Sequence, residues 1–277
     1  MQMGCDTQLF KKILADRLLF FCLVCFLLFV FFMLIADYLP LYSPDELALS
    51  PLQPPNWGSI FGTDRIGRDL FSRVVYGGRI SLLIGFSVVS IGVLFGVISG
   101  ITAARSKLLR NIIMGSADFL WAFPSVLLAI ALAAAFGPGV NILIIALSIA
   151  QISVNTRLVF GQALVVKELP YIKAAEAIGA NDCRIIMKHF LPNVISPVIV
   201  ELPIRLGTAI ITEAGLSFLG VGVKPPTPSW GLIMSASFKT LHISPWPLIF
   251  PGITLFIVVF LLNIIGDRLN NILNPKR

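Results

Sequence analysis

Two long runs of apolar residues constrain the fold of this chain more than any other feature of its sequence. Residues 18–36 (LLFFCLVCFLLFVFFMLIA) and residues 80–104 contain no charged side chain. About 20 apolar residues, each with a rise of 1.5 Å, cross a hydrocarbon core about 30 Å thick as an α-helix. Each run is therefore predicted to be a transmembrane helix, and membrane lipid is the first predicted partner of the chain.

Four further apolar runs of similar length raise the predicted number of transmembrane helices to six. They lie near residues 112–136, 140–160, 194–219 and 248–266. The composition agrees, because 57% of the residues are hydrophobic, 13% are charged and the mean hydropathy is +0.91. Soluble domains have roughly a quarter charged residues. The predicted fold class is an all-α polytopic membrane protein.

Lysine and arginine are distributed unequally among the segments outside these helices. Most of them lie in the two terminal tails, in residues 105–110 and in residues 157–188. The other segments hold a smaller set, which is Arg65, Arg68, Arg73, Arg79, Lys224 and Lys239. Loops rich in Lys and Arg are retained in the cytoplasm during insertion. Both termini and residues 157–188 are therefore predicted to be cytoplasmic.

The predicted domain boundaries follow from this orientation. They are a cytoplasmic tail at 1–17, an anchor helix at 18–36, an external segment at 37–79, a core of five transmembrane helices at 80–266 and a second cytoplasmic tail at 267–277. The core includes a cytoplasmic loop at about 161–192 and an external loop at about 220–247. The net charge of +7 is explained by this topology. No nucleic-acid partner is predicted, because the basic residues are dispersed and form no basic face.

The sequence contains no recognisable catalytic or nucleotide-binding pattern. The motifs GxxxxGK[ST], HExxH and GxSxG are absent. The two histidines, His189 and His242, are predicted to lie on opposite sides of the membrane, so no metal site is predicted. We therefore predict no enzyme activity, no catalytic residue and no cofactor in this chain. If it transports a solute, an ion gradient or a partner subunit has to supply the energy.

The stretch YIKAAEAIGANDCRIIMKHFLPN is charged although it lies between two apolar spans. A helix is predicted to begin after Pro170 and to end at Gly179, where a residue without Cβ can adopt the left-handed C-cap conformation. Asn181 and Asp182 are good N-cap residues for a second helix, CRIIMKHF, which Pro192 is expected to separate from the next span. Two short helices around a glycine are typical of a docking element. The alternative is a solvated connection.

Three stretches, taken in order, resemble one family of membrane proteins. Ala174 and Ala175, followed by Gly179 and by the run from His189 to Pro192, have the spacing of the EAA loop of ABC-type importer permeases. FGTDRIGRDLFSRVVYGGRISL follows the first span, and TEAGLSFLGVGVKPPTPSWGLIM begins near the end of the fifth. Together these stretches resemble the dipeptide, oligopeptide and nickel permease family, in the branch with a GTDxxGRD segment.

The resemblance extends from about Trp57 to Asp267 and departs from the pattern at Lys173, where the name-giving Glu of the EAA loop would stand. It implies a type I ABC importer permease fold with cytoplasmic coupling helices. It also implies an assembly of this chain with a second homologous permease subunit, two cytoplasmic ATPase subunits that carry ATP and Mg, and an external solute-binding protein. The residues implied in ATPase coupling are Ala174, Ala175, Glu176, Gly179, Asn181, Arg184, His189, Leu191 and Pro192.

The GTD motif consists of the signature residues of the second stretch, which are Gly62, Thr63, Asp64, Gly67, Arg68 and Asp69. The resemblance implies that this motif lies at the external mouth, where a solute-binding protein delivers cargo. From the residues alone, the motif is expected to be a capped turn in which Asp64 and Asp69 form exposed ion pairs with Arg65 and Arg68. Such pairs contribute only about 0 to 1 kcal/mol each.

The cargo and the class of transporter each have an alternative. Small peptides are the cargo that the resemblance implies first, and nickel or a nickel chelate is the second. A transporter of another class, a gradient-driven secondary transporter or a channel, would need no loop between Ala174 and Pro192. It would show broken helices in two similar halves of the chain. No such internal repeat is visible in the sequence.

Charged and hydroxyl side chains on the fifth span are candidates for a translocation pathway. At 100° per residue, one face of this helix carries Glu201, Arg205, Thr208 and Thr212, and the other carries Ile199, Leu206 and Ile210. A charge at the bilayer centre costs at least about 2.5 kcal/mol. The polar face is therefore predicted to line a wet pathway. The alternative is a buried ion pair between Glu201 and Arg205 that fixes the orientation of the helix.

The second span carries Gly92, Gly96 and Gly100 at intervals of four residues, on one face of the helix. Small residues at this spacing allow two helix backbones to approach closely in lipid. The glycine face is predicted to pack either within the chain or against a partner permease.

Overall fold

The computed structural model describes residues 15–47 and 49–273, in which α-helices are joined by turns. The helices are α1 (Arg17–Leu34), α2 (Leu70–Arg105), α3 (Lys107–Ala122), α4 (Ser125–Phe136), α5 (Val140–Lys167), α6 (Pro170–Ala177), α7 (Asp182–Ile185), α8 (Leu191–Phe218), α9 (Trp230–Ser237) and α10 (Trp246–Leu273). Short 3₁₀ turns lie at Ala36–Tyr38 and Phe238–Thr240, and a π-helix, Ile186–Phe190, joins α7 to α8. The all-α prediction is confirmed.

Within the described residues, five helices are long and apolar enough to cross a membrane. They are α1, α2, α5, α10 and the continuous run Asp182–Phe218. The bent pair of α3 and α4 raises the number to six if it is counted as one span. This agrees with the six predicted helices, although the third of them is divided.

The division of the third predicted span, residues 112–136, occurs at Phe123 and Pro124. Phe123 has an extended backbone, with φ −87° and ψ 128°. The residue before a proline is pushed out of the α conformation by a clash with the proline ring. As a result α3 and α4 are two helices at 89° to each other, and the expectation of one straight helix here is wrong.

Helix α2 begins at Leu70, well before the predicted span that starts at residue 80. Asp69 explains the early start, because its Oδ2 accepts hydrogen bonds from the backbone N–H of Ser72 at 2.8 Å and from the Ser72 hydroxyl at 2.7 Å. A carboxylate in this position satisfies an N–H of the first turn that has no partner within the helix. Arg73 and Arg79 therefore lie on the first turns of α2 and not in a connecting loop.

Pro192 does not separate the second short helix from the fifth span, as the sequence suggested. The helix is continuous from Asp182 to Phe218. The proline ring would clash with the carbonyl group four residues earlier in a regular α-helix. Here the turn before it is a π-helix, in which the N–H of Leu191 bonds to the carbonyl of Ile186, five residues back. This wider turn accommodates Pro192 without a break.

The chain forms two compact units. The first comprises the chain up to Phe86, Ala129–Leu143 and the chain from Pro203 onward, and the second comprises Ser87–Leu128 and Ile144–Leu202. In the first unit Trp230 is fully buried, and its Nε1 donates a hydrogen bond to the carbonyl of Val74 at 2.9 Å. This bond fixes α9 against α2.

The second unit contains a hydrophobic core that joins α2 and α5 to the segment between α5 and α8. Its buried members are Val97, Ile101, Ala104, Val159, Ala163, Val166, Ile172, Ile185, Phe190, Val194 and Val198. The core thus extends from two membrane-type helices into the charged stretch of the sequence. That stretch is packed against the helices and is not a loose solvated connection.

The glycine face of α2 packs within the chain, against α5. A Cβ atom on Gly92 would lie 2.6 Å from Cγ of Gln151, and one on Gly100 would lie 2.7 Å from Cβ of Val159. A Cβ on Gly96 would overlap Asn155. The absence of side chains lets the two backbones approach closely, which decides between the two predicted locations of this face.

Two charged residues within predicted spans form a pair in the second unit. Arg157 Nη1 lies 2.7 Å from Oδ1 of Asp118, and its guanidinium lies over the ring of Trp121 at 4.5 Å from the centroid. The pair and the aromatic contact together stabilise the positive charge on α5. They also connect α5 to α3.

Candidate functional site

The EAA-like loop, residues 161–192 of the sequence prediction, contains the C-terminal end of α5 and the short helices α6 and α7. Helix α6 has Pro170 at its first position, where a missing N–H costs nothing. It ends with Gly179 in the left-handed conformation, at φ +78°. The N–H of Gly179 bonds to the carbonyl of Glu176, and that of Ala180 bonds to the carbonyl of Ala175, both at 3.0 Å. This pattern is the glycine C-cap that the sequence predicts.

Helix α7 begins with the predicted cap. The Oδ1 atom of Asn181 accepts a hydrogen bond from the N–H of Cys183 at 3.1 Å. Asp182 is the first residue of the helix, where a negative charge is favourable. Gly179 and Asn181 therefore both contribute local interactions to the chain reversal between α6 and α7.

Three apolar side chains anchor this pair of helices. Ile172 of α6, Ile185 of α7 and Phe190 of the π-helix are all buried in the core of the second unit. Ala104 at the end of α2 and Ala163 of α5 belong to the same core. The outer ends of the EAA-like loop are therefore fixed to the ends of two long helices.

The predicted coupling residues lie mainly on the opposite, exposed side of the loop. Those classed as exposed are Ala174, Glu176, Gly179, Asn181, Arg184 and Pro192, and those that are half-buried are Ala175, His189 and Leu191. Two exposed apolar residues were not among the predicted coupling residues. They are Ile178, which is 85% exposed at the tip of the loop, and Met187. Their apolar character was visible in the sequence, but their exposure was not.

Arg105, the last residue of α2, connects the two short helices. Its Nη1 forms a salt bridge with Oε1 of Glu176 on α6, and its Nη2 forms one with Oδ1 of Asp182 on α7. The guanidinium also lies over the ring of Phe190, 5.6 Å from the centroid. Sequence reasoning missed this residue because it lies 71 positions before Glu176.

Lys173, which departs from the EAA pattern, has a local partner. Its Nζ lies 2.8 Å from Oε2 of Glu168, and both side chains are mostly exposed. The hydrogen bond from Lys173 lowers the pKa of the Glu168 carboxyl. The ammonium group of Lys173 is therefore paired with Glu168, whereas Glu176 is paired with Arg105.

The GTD motif forms a compact, internally bonded turn before α2. Thr63 is fully buried, and its Oγ1 donates to the carbonyl of Ser50 at 2.7 Å and accepts from the N–H of Gln53 at 2.8 Å. Gly62 and Gly67 have φ of +79° and +89°. A Cβ atom on either glycine would overlap a backbone carbonyl oxygen.

Asp64 and Asp69 of the GTD motif are buried and Arg68 is half-buried, contrary to the expectation of exposed ion pairs. Arg68 Nε lies 2.7 Å from Oδ2 of Asp64, and their side chains are 14% and 7% exposed. Oδ1 of Asp64 accepts the backbone N–H groups of Ile66 and Arg68, both at 3.0 Å. Asp69 binds the Ser59 hydroxyl at 2.5 Å, in addition to its bonds to Ser72. Asp64 therefore bonds to Arg68 within the motif, whereas Thr63 and Asp69 bond to the neighbouring residues Ser50, Gln53, Ser59 and Ser72.

The proposed pathway face on α8 lies partly at the surface of the isolated chain. Thr208 is exposed, Thr212, Glu201 and Arg205 are half-buried, and the hydroxyls of both threonines donate to backbone carbonyls one turn earlier, at 3.0 and 2.8 Å. On the opposite side, Leu206 and Ile210 are buried, as predicted, whereas Ile199 is exposed. Near the middle of α8 the polar residues and the buried apolar residues therefore lie on different faces, as predicted, whereas near Ile199 they do not. A role of the polar face in transport stays a prediction.

The third stretch of the family resemblance, TEAGLSFLGVG, contains a buried polar cluster that was not selected from the sequence. Glu213 and Ser217 have no exposed surface. The Ser217 hydroxyl donates to Oε1 of Glu213 at 2.7 Å, and its oxygen accepts the N–H of Val223 at 3.1 Å. Among the described residues Glu213 makes no salt bridge. The cluster ties the end of α8 to the segment that follows it.

Comparisons with known proteins agree with this geometry. A family model described as "Binding-protein-dependent transport system inner membrane component" matches residues 92–277. A putative peptide transport system permease protein of Brucella suis is 43% identical over 224 residues, which is 81% of this chain and 76% of the relative. The dipeptide transport system permease protein DppC of Alkalihalophilus pseudofirmus is 38% identical over 274 residues, 97% of this chain and 89% of the relative. The glutathione transport system permease protein GsiD of Pectobacterium atrosepticum is 41% identical over 223 residues, 80% and 74% of the two chains.

Solved structures show the same fold at lower sequence identity. A chain of the inward-facing methionine ABC transporter MetNI superposes with a TM-score of 0.58 at 19% identity, covering 72% of this chain and 96% of its own. A chain of an amino acid ABC transporter with histidines gives a TM-score of 0.56 at 14% identity, covering 71% and 92%. The likeness is one of fold, and it extends over most of the described helices.

Proposed function

Because this chain belongs to the family of binding-protein-dependent transport system inner membrane components, we propose that it is a permease subunit of an ATP-driven importer of small peptides. The observation that carries the proposal is the EAA-like loop. It presents an exposed apolar tip at Ile178 while Ile172, Ile185 and Phe190 fix its other side to the ends of α2 and α5. A rigidly anchored, exposed apolar element is suited to bind a partner and to transmit its movement.

The partners in this proposal are a second homologous permease, two ATPase subunits and a solute-binding protein. The ATPase subunits hold ATP and Mg and carry out hydrolysis, and this chain has no catalytic role. Closure of the ATPase subunits moves the EAA-like loop. Since the loop shares one core with α2 and α5, these helices move with it and change the access of the pathway.

Peptide cargo is supported by the names of the relatives, which are peptide, dipeptide and glutathione permeases. No observation on the described residues favours nickel over peptide. In this proposal the solute-binding protein selects the cargo, and the proposed pathway contacts are Glu201, Arg205, Thr208 and Thr212.

Uptake by reconstituted vesicles tests the function. The complex of this chain with its four proposed partner subunits is placed in liposomes with ATP inside or outside. Accumulation of a labelled dipeptide is measured with and without ionophores that dissipate ion gradients. We expect uptake that requires ATP and the solute-binding protein and that persists with ionophores. Uptake that stops with ionophores and ignores ATP would show a gradient-driven transporter instead.

The orientation in the proposal places the EAA-like loop and both termini in the cytoplasm of a cell with an inner or single cytoplasmic membrane. Single cysteines at Asn181 and at Pro226, introduced into a cysteine-free variant, test this. An impermeant thiol reagent added to intact cells is expected to label position 226 but to label position 181 only after the membrane is opened. Labelling of both from the outside would contradict the orientation.

A further inference from the structure

Arg105 joins both short helices of the EAA-like loop through charged groups. It lies at the end of α2, and its two terminal nitrogens bind Glu176 on α6 and Asp182 on α7. These two carboxylates lie on opposite sides of the turn at Gly179. The guanidinium therefore bridges the hinge from the side of the long helix.

The turn at Gly179 is only partly packed, because Ala180 beside it is half-buried against the core of the second unit while Gly179 is exposed. A Cβ atom on Gly179 would meet nothing within 4 Å. The apolar anchors Ile172, Ile185 and Phe190 are buried in this core. The helix ends beside the turn carry Glu176 and Asp182, which are exposed. An arginine is suited to fix these inner ends, because its planar guanidinium can bind two carboxylates in a defined geometry whereas the ammonium of lysine cannot.

We propose that Arg105 is a positioning residue for energy coupling, which fixes the angle between α6 and α7 and transmits movement of the loop to α2. This inference rests on the proposed function for its role in transport. Helix α2 then carries the movement along its glycine face, which packs directly on α5. Arg105 touches neither cargo nor nucleotide in this account.

The two bonds of Arg105 are expected to contribute unequally. The side chain of Arg105 is 18% exposed and that of Glu176 is 38% exposed, whereas that of Asp182 is 74% exposed. Solvent screens an exposed pair more strongly than a partly buried one. The Glu176 bond is therefore the stronger, and Glu176→Gln should impair coupling more than Asp182→Asn.

A matched control is available on the same part of the chain. Arg110 lies on α3, with its guanidinium over the ring of Phe160 at 5.6 Å and its Nε bonded to the carbonyl of Ala103 at 3.3 Å. None of its described contacts involves α6 or α7. Arg110→Gln removes the same type of charge without touching the turn.

Hydrogen exchange of the purified full-length protein in detergent tests the positioning role without any partner. Arg105→Gln should accelerate exchange at the amides of Gly179 and Ala180, which are bonded within the cap, by about fivefold or more. Arg105→Lys should give a smaller acceleration, and Arg110→Gln none at these amides. Unchanged exchange in Arg105→Gln, with the protein folded, overturns the proposal.

Assays on the assembled transporter test the coupling role. Arg105→Gln should assemble with the ATPase subunits and keep basal ATP hydrolysis, while hydrolysis stimulated by the loaded solute-binding protein and uptake fall by about fivefold or more. Exchanging the charges, Arg105→Glu with Glu176→Arg, should recover part of the activity lost in Arg105→Glu alone. Normal stimulation in Arg105→Gln, or equal loss of assembly and basal activity, overturns the coupling role.

The two experiments separate this inference from the proposed function. If wild-type protein shows no ATP-driven uptake while exchange at Gly179 depends on Arg105, the proposed function fails and the positioning role of Arg105 in the fold stands. If uptake is ATP-driven and exchange does not depend on Arg105, the proposed function stands and this inference fails.

Discussion

Asp64 of the GTD motif and Asp182 of the EAA-like loop both form a salt bridge with an arginine, but in very different surroundings. The side chain of Asp64 is 7% exposed and also accepts two backbone N–H groups. That of Asp182 is 74% exposed, and Arg105 is its one salt-bridge partner among the described residues. A buried carboxylate with saturated bonds specifies a local fold, whereas an exposed one can exchange its partner when the segment moves.

The glycines of the two regions differ in the same way. Gly67 faces the carbonyl oxygen of Leu49, which leaves no room for a side chain, whereas a Cβ atom on Gly179 would meet nothing within 4 Å. The GTD motif is therefore fixed by close packing at its glycines and by the bonds of Thr63, Asp64 and Asp69. The EAA-like loop is fixed at its anchors and open at its tip, as a segment that contacts a movable partner should be.

Asp64→Ala is expected to have the largest effect on folding. Asp64 Oδ2 lies 2.7 Å from Nε of Arg68 and 3.7 Å from Nε of Arg73. The substitution removes this carboxylate and leaves both arginines in a mostly buried site. Breaking a buried pair costs about 3–5 kcal/mol. The midpoint of thermal unfolding in detergent should fall strongly, whereas Arg65→Gln, at the exposed position next to Asp64, should leave it unchanged. Equal effects of the two changes would contradict the contrast between the regions.

Replacement of the two glycines by alanine is expected to have an intermediate effect. Both positions require a left-handed backbone, which costs a residue with a Cβ about 1–2 kcal/mol. Gly67→Ala adds an overlap with Leu49, so its unfolding midpoint should fall further than that of Gly179→Ala. A larger loss for Gly179→Ala would show that the turn of the EAA-like loop is more tightly packed than we describe.

Lys173→Gln is expected to have the smallest effect. Lys173 lowers the pKa of Glu168, so any contribution of the pair to stability is present above the usual carboxyl pKa and is lost as the pH falls through the lowered value. Because both side chains are mostly exposed, we expect no measurable change in Tm at neutral pH. A clear difference from wild type at neutral pH that vanishes in acid would show a stronger pair.

The caps of the EAA-like loop could be predicted from the sequence because they depend on neighbouring residues. Gly179 and Asn181 each determine their own turn through backbone geometry and a side-chain bond two residues away. Arg105 could not be predicted in this way. Its partners are brought to it by packing of the buried side chains around Ile172 and Phe190, which no local pattern describes.

Two prolines show why local sequence rules did not predict correctly where a helix is interrupted. Pro124 interrupts the third apolar span because its ring forces Phe123 into an extended backbone. Pro192 leaves the helix continuous because the preceding π turn accommodates its ring. Hydropathy alone predicted the first as unbroken, and the proline rule alone predicted the second as broken. The burial of Asp64 was equally hidden, because its charge suggested a solvated surface.

Photo-crosslinking from the two regions tests the central claim most directly. A benzophenone amino acid is placed at Ile178 in one variant and at Arg65 in another, and each assembled transporter is irradiated in membranes. We predict a covalent adduct with the ATPase subunit from position 178 and none from position 65. An ATPase adduct from position 65 with none from position 178 would contradict the assignment of the EAA-like loop as the coupling element.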